Sequence, residues 1–215
     1  VDRQLRPMSS RDVSGIINQG GTILKSARCS AFLKEEGRAV AAKTLGDHNI
    51  DALVGIGGDG TYRGLEVLSE EHGTHVIGMP GTIDNDIGGT DYTIGFDTAL
   101  NTAVEAIDRL RDTAPSHDRL FFVEVMGRHS GYLAMLSAIA GGAEDVLVPE
   151  TPTDLPGLVE KLHRLRSAGK TSYIVVVAEG DEAGDAGVIA RQVIQMSDFA
   201  DARVTVIGHL QRGGM

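Results

Sequence analysis

Two short segments carry residues of the types and spacing needed to handle a phosphate: Gly57-Gly58-Asp59-Gly60-Thr61 and Pro80-Gly81-Thr82-Ile83-Asp84-Asn85-Asp86. Each follows a short apolar run, which puts three carboxylates and several small residues at the tips of what should be neighbouring strands. Glycines lack a Cβ, so their backbone N–H groups can approach phosphate oxygens, and a following helix adds a favourable N-terminus. Asp59 is the odd member, because a bare carboxylate repels polyphosphate; a bridging Mg2+ resolves the conflict. A tight strand-to-helix turn would use the same residues with no ligand at all. In the second segment Asp84 and Asp86 stand at i and i+2, with Thr82 two positions earlier. Carboxylates so spaced share a rim without touching: one can take a proton from a hydroxyl while the other supports a hydrated metal. The alternative is an Asx-turn capped locally by Thr82, Asn85 and Asp86. Both segments at adjacent strand ends favour phosphoryl transfer to a hydroxyl. No Gly-Lys-Ser/Thr follows the glycines, so a nucleotide site here is not of the Walker type.

Arginines must supply the countercharge, since guanidinium clamps phosphate in bidentate fashion. Arg28, Arg119, Arg128, Arg203 and Arg212 head or follow apolar segments. Arg128, His209 and Arg212 stand out, because Met126-Gly127-Arg128-His129 and Gly208-His209-Leu210-Gln211-Arg212 each follow a strand-like run. Glu179, closing another run, suits either a sugar hydroxyl or a capped strand end.

The elements that must position these groups are legible as apolar runs at 52–56, 75–79, 120–125, 145–148, 173–178 and 204–207. Near-continuous hydrophobicity suits parallel strands covered on both faces. Between them, Leu100, Ala103, Val104, Ile107 and Leu110 mark one face of a helix that Asp97 or Thr98 could cap. Leu155, Leu158, Leu162 and Leu165 mark another after Asp154, and Tyr132, Leu133, Leu136 and Ile139 a more apolar, more deeply buried one. Tyr92, Phe96, Phe121 and Phe122 read as packing residues. The alternation is that of an open α/β sheet with crossover helices, with a domain change near residues 88–95.

The 215 residues suffice for one large domain or two small ones. A net charge of −10 argues against broad nucleic-acid binding, and no run approaches the roughly 20 apolar residues of a membrane span. One cysteine excludes an internal disulfide framework and fits a reducing compartment. Both ends read as abrupt.

At this point a resemblance becomes specific. GGTILKSAR at 20–28, GGDGTYRG at 57–64, PGTIDNDIGGTDYTIGFDTA at 80–99, EVMGRHSGY at 124–132, AGGAEDVLVPE at 140–150 and GHLQRGG at 208–214 together resemble the ATP-dependent 6-phosphofructokinase family. The resemblance runs over almost the whole chain in the family's order. It implies an α/β fold of two Rossmann-like three-layer α/β/α domains, incomplete in this chain. Residues 1–95 would be the ATP-binding domain, with a chain return from about 209–215, and 96–208 the fructose 6-phosphate domain. It implies a cytoplasmic glycolytic kinase that moves the ATP γ-phosphoryl group to O1 of fructose 6-phosphate.

By that resemblance Asp84 is the base, with Thr82 and Arg128 close to the transferring group. Asp59, helped by Asp86, is the Mg2+ carboxylate. Arg28, Gly58, Gly60 and Thr61 line the nucleotide side. Met126, Gly127, Glu179, His209 and Arg212 form the sugar-phosphate pocket. Arg119 and Arg203 would reach the 6-phosphate of a neighbouring subunit, which makes a homotetramer with shared sites the implied assembly. Pyrophosphate-using relatives typically carry Asp at the position of Gly60 and Lys at that of Gly81; glycine at both favours ATP. Cys29 and Leu33 stand where many bacterial ATP enzymes have an aromatic residue and an arginine near adenine. Arg111, Glu144 and Lys170 match parts of the family's effector site, while Gly15, Ala168 and Thr171 depart from it, so a weakened or altered effector response is expected. The family's first strand and about a third of its length would lie outside residues 1–215, and the isolated chain should be poorly active. The competing readings are a pyrophosphate-dependent kinase of the same fold and an inactive regulatory or assembly subunit.

Overall fold

The computed structural model describes residues 5–113 and 119–214, and these divide into two compact units. The first holds the residues up to Thr82 together with Ile87–Thr90; the second holds Ile83–Asp86 and Asp91–Gly214. The ranges expected from the sequence divide differently, giving 83–86, 91–95 and 209–214 to the first domain; residues 1–4 and 215 lie outside the described ones.

In the first unit, α1 (Glu35–Asp47) precedes a β–α–β element: β1 (Ala52–Gly57), α2 (Asp59–His72) and β2 (His75–Pro80). The two strands are parallel and in register from Ala52↔His75 to Gly57↔Pro80, so they end side by side. The register pair Gly55↔Gly78 explains how α2 seats on them. A Cβ on Gly55 would lie 2.4 Å from the Leu65 side chain, and one on Gly78 2.5 Å from the Tyr62 ring. Gly73, in the left-handed region at φ +66°, ends α2 and donates to the Ser69 carbonyl at 2.8 Å. A bidentate ion pair from Arg38 to Glu71 ties α1 to α2. The other face of the strands stays exposed at Val54, Ile56, Ile77 and Met79.

The second unit runs α3 (Phe96–Thr113), β3 (Leu120–Val125), α4 (Tyr132–Ala140), β4 (Asp145–Leu147), α5 (Leu155–Ser167), β5 (Tyr173–Ala178), α6 (Ala186–Met196) and β6 (Ala202–Val206). The strands form a parallel sheet in the order β4-β5-β3-β6. On one face Leu120, Phe122, Tyr173, Val175 and Val177 pack with Leu158 and Leu162 of α5 and Ile189 and Val193 of α6. On the other, Phe121, Val123, Val125, Ile174 and Val176 pack with Ala103 and Ile107 of α3 and Ala134 and Ala138 of α4. This is a three-layer α/β/α arrangement, and both central strands are buried on both faces as their continuous hydrophobicity requires.

Three local expectations need correction. α3 begins at Phe96, so Asp97 and Thr98 lie in its first turn and do not cap it. Phe96 is fully buried beside Leu133 and stacks on Tyr132, and that anchorage pulls the helix start forward. On α4 the buried stripe is Leu133, Ala134, Ser137 and Ala138, whereas Ile139 is 70% exposed. Small residues win that face because α4 approaches closely: a Cβ on Gly141, at its C-terminus, would sit 2.6 Å from Ile107. Tyr92 is largely exposed, with its ring centroid 6.0 Å from that of Phe96. Asp154 does cap α5, accepting from the Gly157 amide at 3.0 Å.

Candidate functional site

The crossovers part at the ends of β3 and β5. After β3 the chain leaves for α4 on one face; after β5 it leaves for α6 on the opposite face. Adjacent parallel strands whose loops part in this way open the switch-point crevice where ligands of open α/β sheets gather. Met126, Gly127 and Arg128 stand at the tip of β3, and Glu179 at the tip of β5.

The Gly127–Arg128 turn is unusual and firmly held. Gly127 has φ +153° and Arg128 φ +54°, the latter a left-handed conformation that costs a non-glycine residue free energy. Glu179 Oε1 accepts from the Arg128 amide at 2.9 Å and from the Gly127 amide at 3.4 Å. Ser130 N donates to the Gly127 carbonyl at 2.9 Å. A Cβ on Gly180 would lie 1.8 Å from the Arg128 carbonyl, so this glycine is what allows the two loops to touch. One oxygen of Glu179 is therefore occupied in shaping the arginine turn.

Arg128 in turn faces Asp84, Nε to Oδ2 at 3.6 Å. The Asp84 carboxylate is only 13% exposed, and burial holds its pKa above the ordinary carboxylate value, with Asp86 and Glu179 pushing the same way. Arg128 and Arg212 oppose that rise. The loop carrying both aspartates is closed by Asn85, one of the three residues that the sequence offered as local caps. Asn85 Oδ1 accepts from the Thr93 amide at 2.8 Å, and its Nδ2 donates to the Asp91 carbonyl at 3.0 Å. With Asn85 so engaged, Asp86 is left exposed. His209 and Arg212 project from a 3-10 helix at Gly208–Arg212 and are both exposed. Gln211 between them is fully buried, and its Oε1 accepts from the Met126 amide at 2.8 Å.

Arg119 and Arg203 are elsewhere. Arg119 immediately precedes β3, and Arg203 lies opposite Phe121 and pairs with Asp201 at 2.8 Å. Six residues at about 3.3 Å each put roughly 20 Å of strand between Arg119 and the Met126–Arg128 tip. At that same far edge the expected effector residues do come together. The largely buried carboxylate of Glu144 meets Lys170 Nζ at 2.5 Å and Arg111 at 4.0 Å, while Arg111 also donates to the Gly142 carbonyl at 2.7 Å.

In the first unit Gly57 and Pro80 end β1 and β2 as neighbours, and Gly58 is the N-cap of α2 with no side-chain cap. Thr61 packs on Gly57, where a Cβ would lie 2.3 Å from its Oγ1, and Thr82 lies against Gly58. Asp59 pairs with Arg63 one turn along α2, at 3.1 Å, and both side chains are substantially exposed. Space around Gly60 is open, with nothing within 4 Å of an added Cβ. Gly81 differs: a Cβ there would lie 2.6 Å from Ile56 Cγ2, so a side chain at 81 has to push Ile56 aside whatever the donor. That weakens Gly81 as an indicator of the phosphoryl donor and leaves the inference with Gly60. Arg28 and Cys29 are exposed in an irregular stretch, where Cys29 precedes a 3-10 turn at Ser30–Leu33.

Among the described residues no three His, Cys, Asp or Glu side chains gather as a metal cage, and no helix is long and apolar enough to cross a membrane. Mg2+ asks for less than a cage, since it keeps waters and takes one or two carboxylates beside substrate phosphates. Asp59 in the first unit and Asp86 in the second are each exposed carboxylates.

The family profile described as Phosphofructokinase matches residues 1–215. The ATP-dependent 6-phosphofructokinase 1 of Thermus thermophilus is 56% identical over 217 residues, covering 100% of this chain and 66% of that protein. The ATP-dependent 6-phosphofructokinase of Thermotoga neapolitana is 48% identical over 214 residues, with the same two coverages. The chain thus spans 66% of the length of these relatives. Among solved structures, Saccharomyces cerevisiae phosphofructokinase matches with a TM-score of 0.86 at 37% identity, over 97% of this chain and 32% of that one. A pyrophosphate-dependent phosphofructokinase from Marinobacter aquaeolei shares the fold, with a TM-score of 0.75 at 23% identity over 95% of this chain and 55% of that one. With a family profile matched from end to end and the α/β architecture in place, this chain belongs to the phosphofructokinase family.

Proposed function

We propose that this chain carries the site of an ATP-dependent 6-phosphofructokinase, in which the γ-phosphoryl group of ATP passes to O1 of fructose 6-phosphate. The observation that carries the reading is Asp84: a mostly buried carboxylate with a raised pKa, facing Arg128 at the switch-point end of β3 and β5. Raised basicity suits a group that must take the 1-hydroxyl proton as the oxygen attacks phosphorus. The proton ends on Asp84, and the new P–O bond replaces the bond to the leaving diphosphate. Arg128, fixed by the Glu179-held turn, is poised to meet charge on the transferring group, and preorganised cations of this kind lower such barriers. Thr82 borders the same reaction.

The unit bearing Asp84 takes the sugar phosphate, through Met126, Gly127, Arg128, Glu179, His209 and Arg212. The unit bearing the uncapped N-terminus of α2 takes the nucleotide phosphates, through Gly58, Gly60, Thr61 and Arg28, with Cys29 near the base. Asp59 and Asp86 would hold Mg2+, which supplies charge neutralisation of the phosphates when bound. Arg119 and Arg203, far along the sheet from Arg128, are assigned to the 6-phosphate held by a neighbouring subunit, so the working form is a homotetramer. Arg111, Glu144 and Lys170 are assigned to a phosphate-bearing effector with an altered response. The setting is cytoplasmic glycolysis. A pyrophosphate donor is the second reading, kept by the packing origin of Gly81. A coupled assay of fructose 1,6-bisphosphate formation by the full-length protein carrying this chain, with ATP or pyrophosphate, decides between them. Turnover with ATP alone is expected; turnover with pyrophosphate alone transfers the assignment, and none with either sinks the kinase reading.

A further inference from the structure

Gln211 is a fully buried polar side chain on a short 3-10 helix whose neighbours His209 and Arg212 are exposed. Its orientation is fixed, because the Met126 amide is a donor and must face Oε1, at 2.8 Å. Nε2 then points elsewhere and has no hydrogen-bond partner among the described residues. A buried amide half-satisfied in this way weakens the fold, so its presence calls for a return. Met126 is the first residue after β3 and opens the turn in which Arg128 adopts φ +54°. The segment that carries Arg212 is thus tied through one side chain to the segment that carries Arg128, across 85 residues of sequence. Arg128 Nε faces the Asp84 carboxylate at 3.6 Å. Ile207 N also donates to the Glu124 carbonyl at 3.0 Å, just before the 3-10 helix begins.

We propose that Gln211 is a positioning residue: its hydrogen bond to Met126 sets the spacing of Arg128 and Arg212, and with it the affinity of the site for a sugar phosphate. The assignment rests on the proposed function, which places both arginines against that substrate. Gln211→Met keeps the length and removes the acceptor; Gln211→Glu keeps an acceptor for Met126.

The test measures KM for fructose 6-phosphate and for ATP, equilibrium binding of fructose 6-phosphate, and hydrogen exchange of the Met126 amide, in the unaltered protein and both variants. Gln211→Met is expected to raise the fructose 6-phosphate KM and dissociation constant roughly tenfold, the cost of one buried hydrogen bond. The ATP KM should stay within about twofold, and Met126 exchange should quicken. Gln211→Glu should retain Met126 protection and lose less sugar-phosphate affinity than Gln211→Met. Unchanged sugar-phosphate affinity in Gln211→Met, equal losses in both variants, or a matching rise in the ATP KM overturns the positioning role while leaving the kinase reading intact. If the unaltered protein neither binds nor phosphorylates fructose 6-phosphate, both fall. Should Gln211→Met not fold, Gln211→Glu decides alone: retained Met126 protection with fructose 6-phosphate affinity near the unaltered value supports the role, and lost affinity despite retained protection overturns it.

Discussion

β1 and β2 are apolar runs much like β3 and β5, yet they come to different ends. Every residue of β5 is buried, and β3 exposes only part of Glu124, whereas Val54, Ile56, Ile77 and Met79 remain exposed along one face of β1 and β2. What separates the two sheets is the crossover helices. α3 and α4 cover one face of the larger sheet and α5 and α6 the other. The smaller sheet receives α2 on one face, through the paired glycines 55 and 78. An apolar run therefore announces a parallel strand, but not how many of its faces are covered.

The strand tips differ in the same sense. At the end of β1 the N–H groups of α2 are offered by backbone geometry, with Asp59 tied only to an exposed Arg63. At the ends of β3 and β5 the functional groups are held by other side chains: Glu179 shapes the Arg128 turn, Asn85 closes the aspartate loop and Gln211 anchors Met126. One tip is ready for an anion by virtue of being a helix start; the other is assembled from distant parts of the chain.

The largest expected effect probes coverage. Phe122→Ala, in the doubly covered strand, should cost about 3–5 kcal/mol in denaturant unfolding, whereas Ile77→Ala should change stability by less than about 0.5 kcal/mol. An Ile77 cost of comparable size would erase the contrast between the sheets.

A second test concerns the helix-start tip. Gly60→Asp places a carboxylate in open space and should lower kcat/KM for ATP by roughly tenfold or more with little loss of stability. Gly81→Lys must displace Ile56 as well, so its effect on ATP use should come with a lower Tm. Equal melting temperatures for the two variants would contradict the packing account of Gly81.

The smallest effect is one of pH. A raised folded-state pKa means that Asp84 adds stability below the ordinary carboxylate pKa and loses it as pH rises through the folded value. At neutral pH the ionised group is a net cost, so Asp84→Asn should raise Tm there, and the difference should vanish in acid. A lower Tm at neutral pH would show that Arg128 and Arg212 outweigh burial.

Much of this was legible before any coordinates, and the reason is local physics. The runs at 120–125 and 173–178 give strand limits to the residue, because strands buried on both faces leave no polar position to blur their ends. The helix after Asp154 follows from the spacing of Leu155, Leu158, Leu162 and Leu165. The motifs also carry Asp84, Arg128 and Glu179, whose side chains and turns meet beyond β3 and β5. What was not legible depends on distant partners. The positive φ of Arg128 is enforced from Glu179 and Gly180, over 50 residues away. The small-residue stripe of α4 is set by the closeness of α3, which no pattern in 132–139 reveals. Gln211 sits inside its motif as an unremarked polar residue until its hydrogen bond to Met126 is seen, and the bonds of Asn85 reach past its own turn to Asp91 and Thr93.

The most direct test of the central claim is the initial rate of fructose 1,6-bisphosphate formation from ATP and fructose 6-phosphate in the protein carrying this chain, compared with its Asp84→Ser variant. If Asp84 is the base, kcat falls by roughly 10²–10⁴-fold while the KM for fructose 6-phosphate stays within a few-fold. An unchanged kcat contradicts the account.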